Sequence, residues 1–247
     1  NTSTFNSIPC IFTHNKKLNL SQMLEYENYI DIFNKLGFKL QWRTNNGDCK
    51  GVCGGITDYI EGEGDEGLMD SFDEFTKAEN NVVFLHLRGS HGTEYYKQYP
   101  PEFEYYKPVC KQKELRKCSD EEIMNAYDNS IRYTMYLVSN LIDKLREKQG
   151  YNIGVVFVSD HGEAIGENGF YLHGTPYFMT KEIVGKVLSF MWFNDSWYKE
   201  FEYDKQCMKS KENEKVGHYN MFSTILKLMK IKNDYIRDDD DIFKTCY

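Results

Sequence analysis

The sequence predicts an α/β fold: one domain over residues 1–247, built as a single α/β/α sandwich around a mostly parallel central sheet. Three observations carry this. Val155-Val156-Phe157-Val158 is an apolar, β-branched run bounded by polar residues, the pattern of a buried strand in a parallel sheet. Val82-Val83-Phe84-Leu85-His86-Leu87 has the same form. Between the two lies a long amphipathic helical stretch, so strands and helices alternate along the chain.

Taken in order, the chain begins with Thr2, Ser3 and Thr4 ahead of an apolar patch that ends at Thr13. Hydroxyl residues cap helix N-termini, and such an end suits a phosphate. A threonine here can serve as a nucleophile only where a metal or a base activates its hydroxyl. Pro9 is expected to limit how far a regular helix runs. Residues 20–36 place Met23, Tyr26, Tyr29, Ile30, Phe33 and Leu36 at helical spacing, and Gly37 ends that helix. Phe38, Leu40 and Trp42 alternate as a strand does. A turn signal follows, Arg43-Thr44-Asn45-Asn46-Gly47. Asn46 and Lys50, beside this strand end, have the chemistry to hold a phosphate.

The strand at 82–87 runs into Arg88-Gly89-Ser90-His91-Gly92, and the strand at 155–158 into Ser159-Asp160-His161-Gly162-Glu163. The aromatic loop from Tyr95 to Tyr106 fits a substrate entrance, a membrane surface, where tyrosine is favoured, or plain packing. A helix over 120–149 is expected to be capped at Ser119 or Asp120 and to end at Gly150. Val187 to Phe193 reads as a further strand. Val216 to Met229 reads as a final helix, with His218 at its start.

Ligands of open α/β sheets bind outside the carboxyl ends of the strands. If both apolar runs are parallel strands of one sheet, His86, His91, Asp160, His161 and His173 converge at a shared edge. Aspartate and histidine are ligands that Zn²⁺ accepts. Glycines at 162, 166, 169 and 174 let the intervening loop fold back and bring His173 to the same place.

The net charge of −8 argues against a sequence-independent nucleic-acid binder. No apolar stretch reaches the roughly 18 residues that span a bilayer. The chain starts with Asn1, in a Thr/Ser-rich phrase, and is read as part of a longer protein whose remainder holds targeting or membrane segments. Of the seven cysteines, Cys49/Cys53 and Cys110/Cys118 form close pairs in polar sequence, and Cys207 and Cys246 lie towards the end. The second pair is too wide for a four-cysteine zinc site. Disulfides are the better reading, and they imply an oxidising compartment such as the periplasm. Cys10 is left over.

Several phrases together resemble the bacterial phosphoethanolamine transferases, including the lipid A-modifying and colistin-resistance enzymes. They are Thr2-Ser3-Thr4 with Ser7-Ile8-Pro9-Cys10, Trp42 to Asn46, Cys49-Lys50-Gly51-Val52-Cys53, Leu85 to Gly92, and Ser159 to Glu163 through His173-Gly174. The resemblance implies an alkaline phosphatase-like periplasmic domain, tethered to the inner membrane by an N-terminal domain outside this sequence. It implies Thr4 as nucleophile, and Zn²⁺ held by Thr4, Asp160, His161 and an upstream glutamate. His91 and His173 match second-metal or substrate-site histidines with a catalytic role, and His86 lies close by. Asn46 and Lys50 match substrate contacts. A cysteine just before Asn1 would pair with Cys10. His218 is followed by Tyr219 where the family has Asp, and no role is assigned to it.

The implied reaction is a double displacement, from a phosphatidylethanolamine donor through Thr4 to an envelope acceptor such as lipid A, another glycan or a protein. One rival is a hydrolase of the same superfamily, a phosphodiesterase or a sulfatase. The Cys-x-Pro-x-Arg phrase of formylglycine sulfatases is missing, because Cys10 is followed by Ile11-Phe12-Thr13. The other rival is a secreted, disulfide-bonded binding domain with no chemistry, which leaves the histidines at two strand ends unexplained.

Overall fold

The structure, a computed structural model, describes residues 2–14, 26–70, 80–174 and 177–247. Helix α1, Thr4–Phe12, is followed by α2, Tyr29–Lys35. Strand β1, Lys39–Thr44, is the middle of a three-stranded parallel sheet. It pairs on one side with β2, Asp58–Glu61, and on the other with β3, Asn81–His86, with Trp42 opposite Phe84. A short helix α3, Gly64–Leu68, connects β2 towards β3. The long helix α4, Asp120–Arg146, leads to β4, Gly154–Val158. Two short strands, β5 (Ala164–Ile165) and β6 (Tyr171–Leu172), form a hairpin. Helix α5, Tyr177–Val184, precedes β7, Ser189–Phe193. Helices α6 (Asp195–Phe201), α7 (Lys205–Ser210) and α8 (Asn220–Leu228) follow.

The mixed α/β fold with a parallel sheet is the predicted one, and two strand expectations are corrected. β4 pairs antiparallel with β7, Val156 opposite Met191, and not with a parallel neighbour. Nor are the two apolar runs fully buried: β3 is half-buried along its length, and Val156 is exposed. The reason is local. Among the described residues β3 is paired only with β1, and β4 only with β7.

The main core lies where α1, α2, β1 and α8 meet, around Ile30, Phe33, Trp42, Phe222 and Leu226. Phe84 of β3 and Val158 of β4 both pack against it. On the other side of the sheet layer, Leu85, Phe157 and Phe190 pack with Leu137, Val138 and Leu141 of α4. β3 and β4 therefore share two apolar layers, which holds the carboxyl ends of both at one rim.

α1 runs straight through Pro9. Proline forfeits one intrahelical bond, and burial of Ile8, Ile11 and Phe12 keeps the turn helical. α2 begins later than expected, because Asn28 caps it through the N–H groups of Ile30 and Asp31. Met23 and the start of the 20–36 reading lie outside the described residues. Ser119, not Asp120, caps α4, in a reciprocal pair with Glu122. The last helix starts at Asn220, so His218 stands in the loop before it. The disulfides Cys49–Cys53, Cys110–Cys118 and Cys207–Cys246 are formed, and Cys10 is buried outside them. Among the described residues no helix is long and apolar enough to cross a membrane.

Candidate active site

Thr4 is the first residue of α1, and Ser3 before it is extended. The positive end of the helix dipole is therefore at Thr4. Thr4 Oγ1 stands 3.2 Å from His161 Nε2, across 157 residues of sequence. His161 follows β4 directly. Its Nδ1 is 2.9 Å from the Gly162 carbonyl oxygen. A carbonyl only accepts, so the proton is on Nδ1 and the Nε2 lone pair faces Thr4.

The same arrangement recurs twice. His91 Nδ1 lies 2.7 Å from the Gly92 carbonyl, and His173 Nδ1 lies 2.9 Å from Glu163 Oε1. The rings gather: His161 and His173 centroids are 4.1 Å apart, and His91 and His173 are 4.8 Å apart. Three imidazoles thus turn Nδ1 to an oxygen and leave Nε2 turned away from it. Donation of the other ring N–H to an oxygen is the usual outer support of a metal-ligating histidine.

Carboxylates complete the cluster. Asp160 Oδ1 accepts from the His161 N–H at 3.0 Å, while Oδ2 is buried without a hydrogen bond, 3.5 Å from His161 Nε2. An acceptor oxygen facing an imidazole lone pair calls for a cation between them. Glu163 is almost fully buried; its Oε1 accepts from the Gly92 N–H at 3.1 Å, and its Oε2 is also buried without a partner. Ligand atoms of His161, Glu163 and His173 lie within 4.8 Å of one another. The residues fit a metal ion. The hydrogen bond to Glu163 raises the His173 pKa above the usual histidine value. Burial, then Glu163, push the neighbouring Tyr95 hydroxyl far up, so it stays protonated.

His173 returns to this place because the β5–β6 hairpin reverses the chain. The Gly174 N–H then donates to the Thr2 carbonyl at 2.8 Å, which ties the return loop to the residues before Thr4. Gly92 is required on steric grounds: a Cβ there would meet Leu172 and Tyr95 at under 3 Å.

A second group lies beside the first. His86, at the end of β3, has Nδ1 3.2 Å from Thr44 Oγ1, and Asn46 Nδ2 points at its Nε2 at 3.4 Å. Burial lowers the His86 pKa, and the nearby charges of Asp160 and Lys50 both act on it. Lys50 is held in a left-handed turn, with Nζ 2.7 Å from Asp48. Asn46, Lys50 and His86 are therefore neighbours, and Asp160 links them to the Thr4 group. His218 Nε2 donates to the Ser159 carbonyl at 3.0 Å, supporting the turn into Asp160.

The sequence reading missed Glu163. Its signal was present, a carboxylate two residues beyond His161 in a stretch read only for its Asp-His pair. Burial and the bond to His173 single it out, and neither is visible in one dimension. Cys10 sits on the buried side of α1, whereas Thr4 faces the imidazoles.

The Sulfatase family profile matches residues 1–231. Phosphoethanolamine transferase EptA of Escherichia coli K12 is 34% identical over 99% of the chain; that match covers 48% of the relative, so the chain spans about half the length of such curated relatives. The soluble domain of lipooligosaccharide phosphoethanolamine transferase A from Neisseria meningitidis superposes with a TM-score of 0.92, at 31% identity, over 99% of this chain and 78% of that one. The C-terminal periplasmic domain of phosphoethanolamine transferase EptC from Campylobacter jejuni gives 0.86 at 34%, over 98% and 78%. The chain belongs to the sulfatase family, in the branch formed by the phosphoethanolamine transferases.

Proposed function

We propose that this domain transfers phosphoethanolamine from phosphatidylethanolamine to a cell-envelope acceptor such as lipid A, through a covalent adduct on Thr4. The reading places it in the periplasm, tethered to the inner membrane by a domain outside this sequence. One observation supports it above the rest: Thr4 Oγ1 stands at a helix N-terminus, 3.2 Å from an imidazole nitrogen whose lone pair faces it.

Thr4, Asp160 and His161 would hold Zn²⁺, with His91, Glu163 and His173 beside them. Bound there, the ion would lower the pKa of the Thr4 hydroxyl and offset charge on the phosphoryl oxygens. The α1 N-terminus favours the same negative charge. Thr4 Oγ1, its hydroxyl proton released to solvent beforehand, forms a bond to phosphorus as the bond to the diacylglycerol oxygen breaks. His173 Nε2, made more basic through Glu163, supplies the proton that this oxygen takes up. An acceptor oxygen then attacks the same phosphorus, the Thr4 bond breaks, and the acceptor's proton passes back to His173. Asn46 and Lys50 orient the phosphodiester. Most of the rate comes from positioning and charge stabilisation.

Intact mass of the full-length enzyme, wild type and Thr4→Ala, after incubation with phosphatidylethanolamine and zinc, tests this. The expected result is a phosphoethanolamine adduct that maps to Thr4 and is absent from the variant. Lipid turnover without any adduct would point to a hydrolase. Substantial transfer by Thr4→Ala would overturn the nucleophile.

A further inference from the structure

Asp65 makes no contact with the imidazole cluster, yet it ties together the two loops that flank it. It is the second residue of α3. Its Oδ1 accepts from the Arg88 N–H at 2.8 Å and from Asn45 Nδ2 at 3.1 Å; its Oδ2 accepts from the Gly89 N–H at 2.7 Å. Arg88 and Gly89 open the loop that carries His91, and Asn45 precedes Asn46. Gly89 is left-handed, with φ of 54°. Two successive N–H groups turned inward at such a residue form a concavity that binds an anion. Here the anion is the chain's own carboxylate.

The support of Asp65 is firm. Leu68, at the end of α3, is almost fully buried, and the buried Arg43 of β1 donates to the Leu68 carbonyl at 3.1 Å and also to that of Asp70. On the other face, Tyr133 of α4 donates to Glu66 at 3.1 Å. The Asn45 N–H also bonds the His86 carbonyl at 3.1 Å, so the loops after β1 and β3 are braced at two levels. Without the carboxylate, two adjacent N–H groups lose their acceptor and the turn into His91 is left with its bonds to Arg88, Glu163 and Gln98 alone.

We infer that Asp65 is a positioning residue, which sets the His91 loop against the Asn46 loop and so fixes the span between the imidazoles and the groups that orient the phosphodiester. This rests on the transferase reading for its kinetic consequence, but its structural content does not. Displacing a reacting group by about 1 Å can cost on the order of 100-fold in rate.

The test uses full-length enzyme with ¹³C-labelled histidine, as wild type, Asp65→Ala and Asp65→Asn. In Asp65→Ala the imidazole resonances of His91 and His86 are expected to move while those of His14 and His218 stay. Turnover should fall about 10- to 100-fold, with adduct formation on Thr4 slowed in the same proportion and zinc content unchanged. Asp65→Asn, which keeps an acceptor oxygen, should recover part of the rate. Unmoved His91 and His86 resonances would overturn the inference, as would all four moving together with a lower melting temperature. A wild type that forms no adduct would count against the transferase reading alone, because the resonances still judge Asp65.

Discussion

Glu163 Oε1 and His173 Nδ1 stand 2.9 Å apart, and the carboxylate is the more buried of the two. The pair fixes both the ring orientation and the proton position of His173.

Glu163→Gln removes the charge and keeps the shape. The raised pKa of His173 comes first from its hydrogen bond to Glu163, opposed by burial. In the variant that support weakens and the pKa falls. The protonated form then disappears at lower pH, so the alkaline limb of the kcat profile is expected to move to lower pH, with turnover down about 10- to 100-fold. An unshifted limb would exclude His173 as the acid.

Two disulfides should separate stability from activity. In the chain-entropy account, the 39-residue separation of Cys207–Cys246 is worth about 4 kcal/mol and the 4-residue separation of Cys49–Cys53 about 2 kcal/mol. Cys49–Cys53 encloses Lys50, and the other bridge lies far along the chain in the α7 region. Double serine variants at 207/246 are expected to lose more stability in urea, and those at 49/53 more transfer. The reverse order would dissociate Lys50 from the site.

His14 packs against Tyr235 with ring centroids 4.6 Å apart, and against Phe222 at 5.5 Å. Burial lowers its pKa, Arg237 adds to this, and Glu27 opposes it. The unfolded chain takes up this proton near pH 6.5 and the folded chain only below that. Stability is therefore intact above about pH 6.5 and declines as pH drops towards the folded value. Burial shifts His86 and His218 in the same direction. His14→Gln should show a shallower loss of urea midpoint between pH 7.5 and 5.5, and an identical slope would refute it.

Phe222 is completely buried where α1 and α8 meet. Phe222→Ala should cost about 3–5 kcal/mol in denaturant unfolding. A loss under about 1 kcal/mol would mean that the core closes over the gap.

Much of this was legible beforehand because side-chain chemistry and period coincide. The apolar runs ending in His-Gly marked β3, β4 and the rim they share. Ser119 or Asp120 marked the cap that starts α4, and the spacing of 49/53 and 110/118 announced two bridges. What was not legible depends on partners remote in sequence. Nothing near Val155 says that its neighbour is Trp192 running the other way. Pro9 signals a break locally, and only burial of the surrounding α1 residues overrides it. Glu163 looks like a surface acid until Gly92 and His173 are placed beside it, and Asp65 looks like one more charge in an acidic stretch.

The β5–β6 hairpin has a consequence for how this protein can vary over evolutionary time. Because strand side chains alternate, one residue gained or lost between Ala164 and Leu172 would turn His173 away from His161. The Gly174–Thr2 bond would be drawn off register with it. Lineages descended from a common ancestor should therefore keep this stretch at constant length.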